Sequence, residues 1–166
     1  MDNERLSLKK FHQYFLLGQC ISLGLVILGF FFMNEKQDVI LQIVGWIFIV
    51  MGIVFIIVLF LRKRRLLWIY KNVSPTSMQM KIEKINDSDS TDYFAYLTRW
   101  DKNTSESWKT KLYPPSFNID MYLDNDNQVE VFVDPKNKNP AVIRARDGLL
   151  WVMAGSGSVQ YFQKSQ

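Results

Sequence analysis

The sequence predicts a membrane α-helical hairpin of two spans followed by an all-β cytoplasmic domain, a small antiparallel β-barrel or sandwich of about six strands. Three observations support this fold class. Two long runs lack any charged side chain, later segments alternate apolar and polar residues, and turn-forming residues separate those segments. We divide the chain into an N-terminal segment 1–13, spans 14–33 and 39–61 joined by an external loop 34–38, a basic linker 62–77, a β-domain 78–154 and a flexible tail 155–166.

The two uncharged runs have the length of membrane spans. They contain 20 and 23 residues, and at about 1.5 Å of rise per residue each covers a hydrocarbon core of roughly 30 Å. The first run ends Phe30-Phe31-Phe32-Met33, which is too bulky for a signal-peptide cleavage site. We therefore expect both helices to be retained.

The basic residues predict the orientation. Residues 62–71 carry a net charge of +5, whereas the loop 34–38 carries −1. Because positive residues stay on the cytoplasmic side, both termini should lie in the cytoplasm and the anchor in the cell inner membrane. Residues 72–166 contain 11 basic and 12 acidic side chains, so the sequence predicts no nucleic-acid polymer as partner.

A cluster of cations and one aromatic ring follows the second span. Our first interpretation is an orientation signal that contacts anionic lipid headgroups, and the alternative is a specific lipid or ligand site. The headgroup candidates are Arg62, Lys63, Arg64, Arg65 and Trp68.

Small residues recur within the spans at helical spacing. Gly18 and Ser22 stand four residues apart, and Gly45 and Gly52 stand seven apart. Such residues let two helix backbones approach closely. We favour packing of the hairpin against itself over oligomerisation, because the short loop already makes the helices neighbours.

Reactive side chains are scarce. The chain has one cysteine, Cys20 in the first span, and one histidine, His12 at the membrane entry. No cysteine-based metal site and no Ser–His–Asp arrangement can be expected from this inventory. The sequence therefore predicts no enzyme, no catalytic residue, no metal and no cofactor.

Period-two alternation predicts the strands of the β-domain. Turn signals such as Asp134-Pro135 and Asp147-Gly148 separate them. Phe132 breaks the alternation and should face outward. A sheet this short curls to reduce its exposed edges, which favours a barrel. The predicted strands are residues 78–83, 93–100, 108–112, 129–133, 141–145 and 149–153.

Residues 129–143 resemble the signature of a bacterial membrane family of unknown function that has two spans and a small β-domain. The family pattern is V-x-V-x-Y-D-P-x-N-P-x-x-A-V, and the resemblance extends over most of residues 78–145. Here Phe132-Val133 replaces the usual Val-Tyr or Tyr-Tyr, and extra residues precede Pro140. Pro135 and Pro140 shape a turn, so the motif implies a fold and no catalytic residue.

The layout is also similar to that of two-span β-barrel effectors in anti-phage systems, which sense cyclic oligonucleotides. This similarity is architectural only. Aromatic rings stack on bases and cations contact phosphates, so the second hairpin offers a candidate ligand set, although an ordinary sheet would carry the same residues. The set comprises Arg99, Trp100, Trp108, Lys109, Lys111 and Tyr113.

Three functions remain open at this point. The first is a non-enzymatic, membrane-anchored interaction module or accessory subunit whose β-domain binds a protein partner or another copy of the chain. The second is a membrane effector gated by a cyclic nucleotide, whose spans oligomerise to perturb the bilayer. The third, a hydrolase or transferase, is least supported because the reactive residues are missing.

Overall fold

The computed structural model describes residues 2–34, 39–86, 91–101, 104–123, 125–153 and 159–163. Two long helices precede a curled antiparallel sheet, which confirms the predicted fold class. The chain divides into two compact units. Phe11–Arg65 form one, and Met1–Lys10 together with Leu66–Gln166 form the other.

Both helices are longer than the predicted spans. Helix α1 runs over Asp2–Met33 and helix α2 over Val39–Asn72, and each is long and apolar enough to cross a membrane. At about 1.5 Å per residue they measure roughly 48 and 51 Å, well beyond a hydrocarbon core of about 30 Å. The extra turns are residues 2–13, which precede the first apolar run, and residues 62–72, which follow the second.

Within the hairpin unit, the two helix backbones touch at glycine. A Cβ atom built on Gly29 would lie 2.6 Å from the carbonyl oxygen of Gly45, and one built on Gly52 would lie 2.7 Å from that of Ser22. Neither distance leaves room for a side chain. The small residues therefore pack the hairpin against itself, as the sequence analysis favoured.

We expect Gly52→Ala to destabilise the protein, by about 1–3 kcal/mol for overpacking. The matched control is Gly24→Ala, because nothing lies within 4 Å of the Cβ position at Gly24. Alanine favours the helix by roughly 1 kcal/mol over glycine, so the control should be neutral or stabilising. Thermal unfolding of the full chain in detergent micelles would compare them, and equal melting temperatures for the two variants would contradict this packing.

Seven strands follow the helices in the described residues, all paired antiparallel in the order β6-β5-β4-β1-β2-β3-β7. The first six correspond to the predicted segments, and β7 lies within residues that we predicted to be a flexible tail. Its sequence, VQYFQ, has aromatic and branched residues that favour a strand. The strands are β1 Thr76–Asn86, β2 Thr91–Asp101, β3 Thr104–Lys111, β4 Asn127–Val133, β5 Pro140–Ala145, β6 Gly148–Trp151 and β7 Val159–Gln163.

The sheet curls into a half-barrel. The end of β3 comes back to the end of β6, where the Tyr113 N–H donates to the Trp151 carbonyl at 2.9 Å. The Met153 N–H donates to the Lys111 carbonyl at 2.8 Å. These bonds satisfy backbone groups that an open edge would leave unpaired.

The inner face of the curl is the main apolar core. The alternating residues of β1 and β4 that the sequence analysis placed on one face are buried here, together with Trp108 of β3 and Leu150 of β6. A short 3-10 helix, Asp120–Tyr122, contributes the buried Tyr122. The pleat of each strand therefore sends its apolar set inward.

A second apolar layer covers the outer face of β4, β5 and β6. Phe132 faces outward as predicted, yet only 2% of it is exposed. The ring of Tyr70, in the last turns of α2, contacts Phe132 at 5.4 Å and Trp151 at 6.0 Å between ring centroids. The end of α2 therefore shields a face that the sequence analysis expected to be solvated.

Candidate interaction surface

The predicted headgroup residues all lie on α2. Arg64, Arg65 and Trp68 are exposed, whereas Arg62 and Lys63 are half-buried. Because α2 continues without a break to Asn72, residues 62–72 of the predicted basic linker belong to this helix. Contact with anionic lipid remains a prediction.

The nucleotide candidates lie on different faces of the β2–β3 hairpin. Trp108 points into the inner core and is 4% exposed, and the alternation of the strand places Arg99 toward the same side. Lys109 and Lys111 point outward, and Tyr113 follows β3 in the turn that meets Trp151. The backbone of Trp100 pairs with Ser105, and its side chain lies outside the described part. The structure therefore does not gather these residues into one site.

The outer face of β1, β2 and β3 carries an aromatic patch, formed by Phe94, Tyr96, Lys109 and Glu83. The Lys109 ammonium lies 5.0 Å from the centre of the Phe94 ring and 4.9 Å from that of Tyr96. The Tyr96 hydroxyl donates to Glu83 at 2.5 Å, and Lys109 lies 3.8 Å from the same carboxylate. The hydrogen bond with Tyr96, and then the charge of Glu83, raise the pKa of Lys109.

Sequence reasoning missed Phe94 and Tyr96 as surface residues. Both faces of residues 93–100 are apolar or aromatic, which we interpreted as a central or covered strand. Strand β2 is indeed central, between β1 and β3. The alternation of side chains along a strand could have indicated their position. Residues 94 and 96 share one face, and the buried Ala95 and Leu97 share the other.

A second group of contacts, the clasp, holds the helix ends to the sheet; we define it as Glu4, Ser7, Tyr70, Arg144 and Gly148. The Arg144 guanidinium bridges Glu4 of α1 and Glu130 of β4, at 2.9 Å from each carboxylate. It also lies over the rings of Tyr70 and Phe132, at 5.8 and 5.1 Å. One arginine thereby joins both helix ends to the sheet through ionic and cation–π contacts.

Ser7 is the second fixed point of the clasp. Its side chain is 1% exposed, and its Oγ accepts the backbone N–H of Leu149 at 3.2 Å. The same oxygen lies 2.6 Å from the Ser116 hydroxyl. A Cβ at Gly148 would lie 2.7 Å from the Ser7 Oγ, and the positive φ of 151° also favours glycine there. Helix α1 can approach this turn because the residue is glycine.

A buried tyrosine supports the same turn. The Tyr122 hydroxyl donates to the Asp147 carboxylate at 2.7 Å. Burial, reinforced by that hydrogen bond, raises the pKa of Tyr122 from 10.0 to about 12. The folded state thus favours the neutral phenol over the phenolate.

This shift predicts a loss of stability at alkaline pH. Because the folded pKa is raised, the contribution of Tyr122 is complete below pH 10 and is lost as the pH rises toward 12. We expect the Tyr122→Phe protein to lose less free energy of unfolding than the original protein between these two pH values. Urea unfolding of both proteins in micelles between these pH values would test it, and parallel curves of stability against pH would contradict it.

A polar pocket opens on the outer face where β4, β1 and β2 meet. Its volume is about 450 Å³. It lies between the covered face of β4–β6 and the aromatic patch. The lining residues are Ser77, Met78, Gln79, Thr98, Asp126 and Gln128.

Metal ligands do not come together in the described ranges. No three His, Cys, Asp or Glu side chains there are close enough to hold one ion. The features that the structure does assemble are noncovalent: rings, paired charges and hydrogen-bonding groups. Such groups are the kind that bind another molecule through noncovalent contacts.

Fold and surface together define the chain as a helical hairpin that carries a curled β-domain with one outer face covered by its own helix ends. No protein-family model, curated protein or solved structure matches the chain significantly. The resemblance of residues 129–143 to the bacterial two-span family, and the likeness to anti-phage effectors, therefore stay predictions.

Proposed function

We propose that this chain is a non-enzymatic interaction module, anchored in the cell inner membrane by its hairpin, whose β-domain binds a protein partner in the cytoplasm. The aromatic patch carries the proposal. Phe94 and Tyr96 are half-buried, and large rings held in place are the residues that dominate protein interfaces. An accessory subunit of a membrane complex would use such a surface.

The two outer faces of the sheet differ in a way that supports this function. The face of β4–β6 is already buried by the chain's own helix ends, through the contacts of Tyr70 with Phe132 and Trp151. On the face of β1–β3, the described contacts of Phe94, Tyr96 and Lys109 are with residues of the same sheet. Of these two faces, as far as the described residues define them, the face of β1–β3 is the one that a partner can reach.

The charges of the patch favour a protein over a nucleotide. Lys109 lies beside Glu83, and Lys111 contacts Asp92 at 2.5 Å. A phosphate would have to compete with both carboxylates, which weakens its attraction to the lysines. Trp108, one ring of the candidate ligand set, is in the core.

Both termini are proposed to be cytoplasmic. The support is the basic stretch after the second span, since residues 62–71 carry +5 and cytoplasmic flanks are enriched in Lys and Arg. Limited proteolysis of right-side-out membrane vesicles should leave the β-domain intact, and inside-out vesicles should release it. Digestion from the outer side alone would contradict this orientation.

Site-specific photo-crosslinking tests the partner. A benzophenone amino acid at position 96 of the full chain, in its native membranes, should give a discrete adduct with another protein. The matched control is position 121, because Met121 is 58% exposed and lies on the 3-10 helix, outside strands β1–β3 that carry the patch. A Phe94→Ser substitution in the position-96 background should abolish the adduct. Equal adducts from both positions, or none from position 96, would contradict the proposed surface.

The effector alternative has a direct test of its own. Calorimetry of the full chain in micelles with a panel of cyclic di- and trinucleotides should show no binding if the module proposal holds. Saturable binding that Lys109→Ala and Lys111→Ala each weaken would replace it with the nucleotide-gated effector.

A further inference from the structure

The polar pocket is built from a row of side chains that crosses three strands. Gln79 of β1 pairs with Thr98 of β2 on one side and with Gln128 of β4 on the other. Residues paired directly across antiparallel strands point to the same face. The volume of about 450 Å³ falls within the range of roughly 300–1,000 Å³ that is usual for ligand sites.

The lining is rich in hydrogen-bond acceptors. Two hydroxyls, two side-chain amides and one carboxylate surround the space, and none of the lining residues is Lys, Arg or His. The Gln128 amide nitrogen donates to the Ser77 hydroxyl at 3.0 Å, which orients the carbonyl oxygen of the same amide away from that contact. Asp126 is exposed and is the single ionisable residue of the lining. This composition suits a ligand with several donors and a positive charge.

The charged residues around the pocket balance one another and leave the charge of Asp126 uncompensated. Ser77 pairs with Glu130 across β1 and β4, so the acidic end of the clasp borders the pocket. There, Glu4 and Glu130 share the single guanidinium of Arg144, which leaves one negative charge in excess. On the other side, Lys81 follows Gln79 on the outward face of β1. With Asp126 included, these neighbours carry a net charge of −1.

We propose that the polar pocket binds an arginine side chain of the partner protein, with the guanidinium paired to Asp126. This inference rests on the proposed function and names the chemistry of its partner. A guanidinium has five N–H donors in a planar fork and remains charged at all physiological pH values. It can therefore bond the carboxylate and reach the hydroxyl and amide oxygens at the same time. The pocket lies beside Phe94 and Tyr96 along β2, so one partner can contact both.

A phosphate fits this pocket poorly. Its charged oxygens would face the Asp126 carboxylate and a lining without a cation, and the neutral hydroxyl and amide donors there offset only part of the desolvation cost. The site thus selects against nucleotides and anionic lipid headgroups.

Saturation-transfer NMR on the full chain in phosphatidylcholine nanodiscs tests the site without the partner. The probe is Nα-acetyl-arginine amide, and the control probe is the citrulline analogue, which has the same shape and no charge. We expect a signal from the arginine probe and a much weaker one from citrulline. Asp126→Asn should weaken binding of the arginine probe roughly tenfold, because a charged hydrogen bond becomes a neutral one.

The matched variant is Asp120→Asn, which removes an exposed carboxylate from the 3-10 helix outside the pocket. It should leave the signal of the arginine probe unchanged. Equal signals from arginine and citrulline, equal effects of the two Asp→Asn variants, or no arginine signal at millimolar probe would overturn the inference. If the position-96 adduct forms while the arginine signal is absent, this inference alone fails; loss of the adduct with a specific arginine signal would instead contradict the proposed function.

Discussion

Gly148→Ala is expected to release the N-terminal end of α1 from the β-domain. The new Cβ would lie 2.7 Å from the Ser7 Oγ and 2.9 Å from the Phe117 ring, and the backbone φ of 151° is unfavourable for alanine. Strain and overpacking together should cost about 2–5 kcal/mol. Ser7 of α1 lies directly against this turn and accepts the Leu149 N–H. The new Cβ would therefore push α1 away from the turn and break that hydrogen bond.

Hydrogen exchange of the full chain in micelles would localise the effect. We expect faster exchange of the amides of residues 2–10 in Gly148→Ala, with those of β1 and β2 unchanged. The control is a double-mutant cycle with Ser7→Ala, which removes the oxygen that the new Cβ meets. In the Ser7→Ala background, Gly148→Ala should therefore cost less folding free energy than it does in the original chain. Additive costs would show that Gly148 and Ser7 do not meet, and would refute the clasp.

Trp108→Ala is expected to cost about 3–5 kcal/mol of folding free energy, the usual range for a large aromatic residue in a core. The Trp108 side chain is 4% exposed and packs in the inner cluster with Leu97, its neighbour across β2 and β3. Its removal would leave a cavity that the surrounding strands cannot fill, because their pairing fixes their spacing.

Trp68→Ala is the matched control, since that ring is 52% exposed on α2 and should cost less than about 0.5 kcal/mol. Urea unfolding in micelles, followed by the circular dichroism of the sheet, would give both values. Similar costs for the two tryptophans would contradict the inward orientation of Trp108. The comparison also separates a structural role from ligand stacking, because a stacking residue could be removed without loss of stability.

Local pattern predicted most of the secondary structure. The uncharged runs indicated both helices, and the alternation of Met78, Met80 and Ile82 gave the buried face of β1. The same alternation also implies that Trp108 and Lys109 face opposite sides of β3, which the candidate ligand set did not take into account. A period of two is a local property, so the sequence alone carries this information.

Contacts between distant segments could not be predicted in the same way. Nothing in the residues around Arg144 indicates that it meets Glu4 and Tyr70. The burial of Phe132 depends on a helix that ends some 60 residues earlier along the chain, so its apparent exposure was the natural expectation from the strand alone. The pocket likewise combines three strands whose pairing is set by tertiary structure.

The clasp has a consequence for the order in which the protein is made. Ser7 and the residue that donates to it, Leu149, are separated by 142 positions. At 5–20 residues per second, the ribosome reaches the second roughly 7–30 s after the first. During that interval the first turns of α1 exist, but the β-domain residues that they contact have not yet been synthesised. If the hairpin is the membrane anchor that we propose, both apolar segments can therefore be inserted before β6 is made and the contact between Ser7 and Leu149 forms.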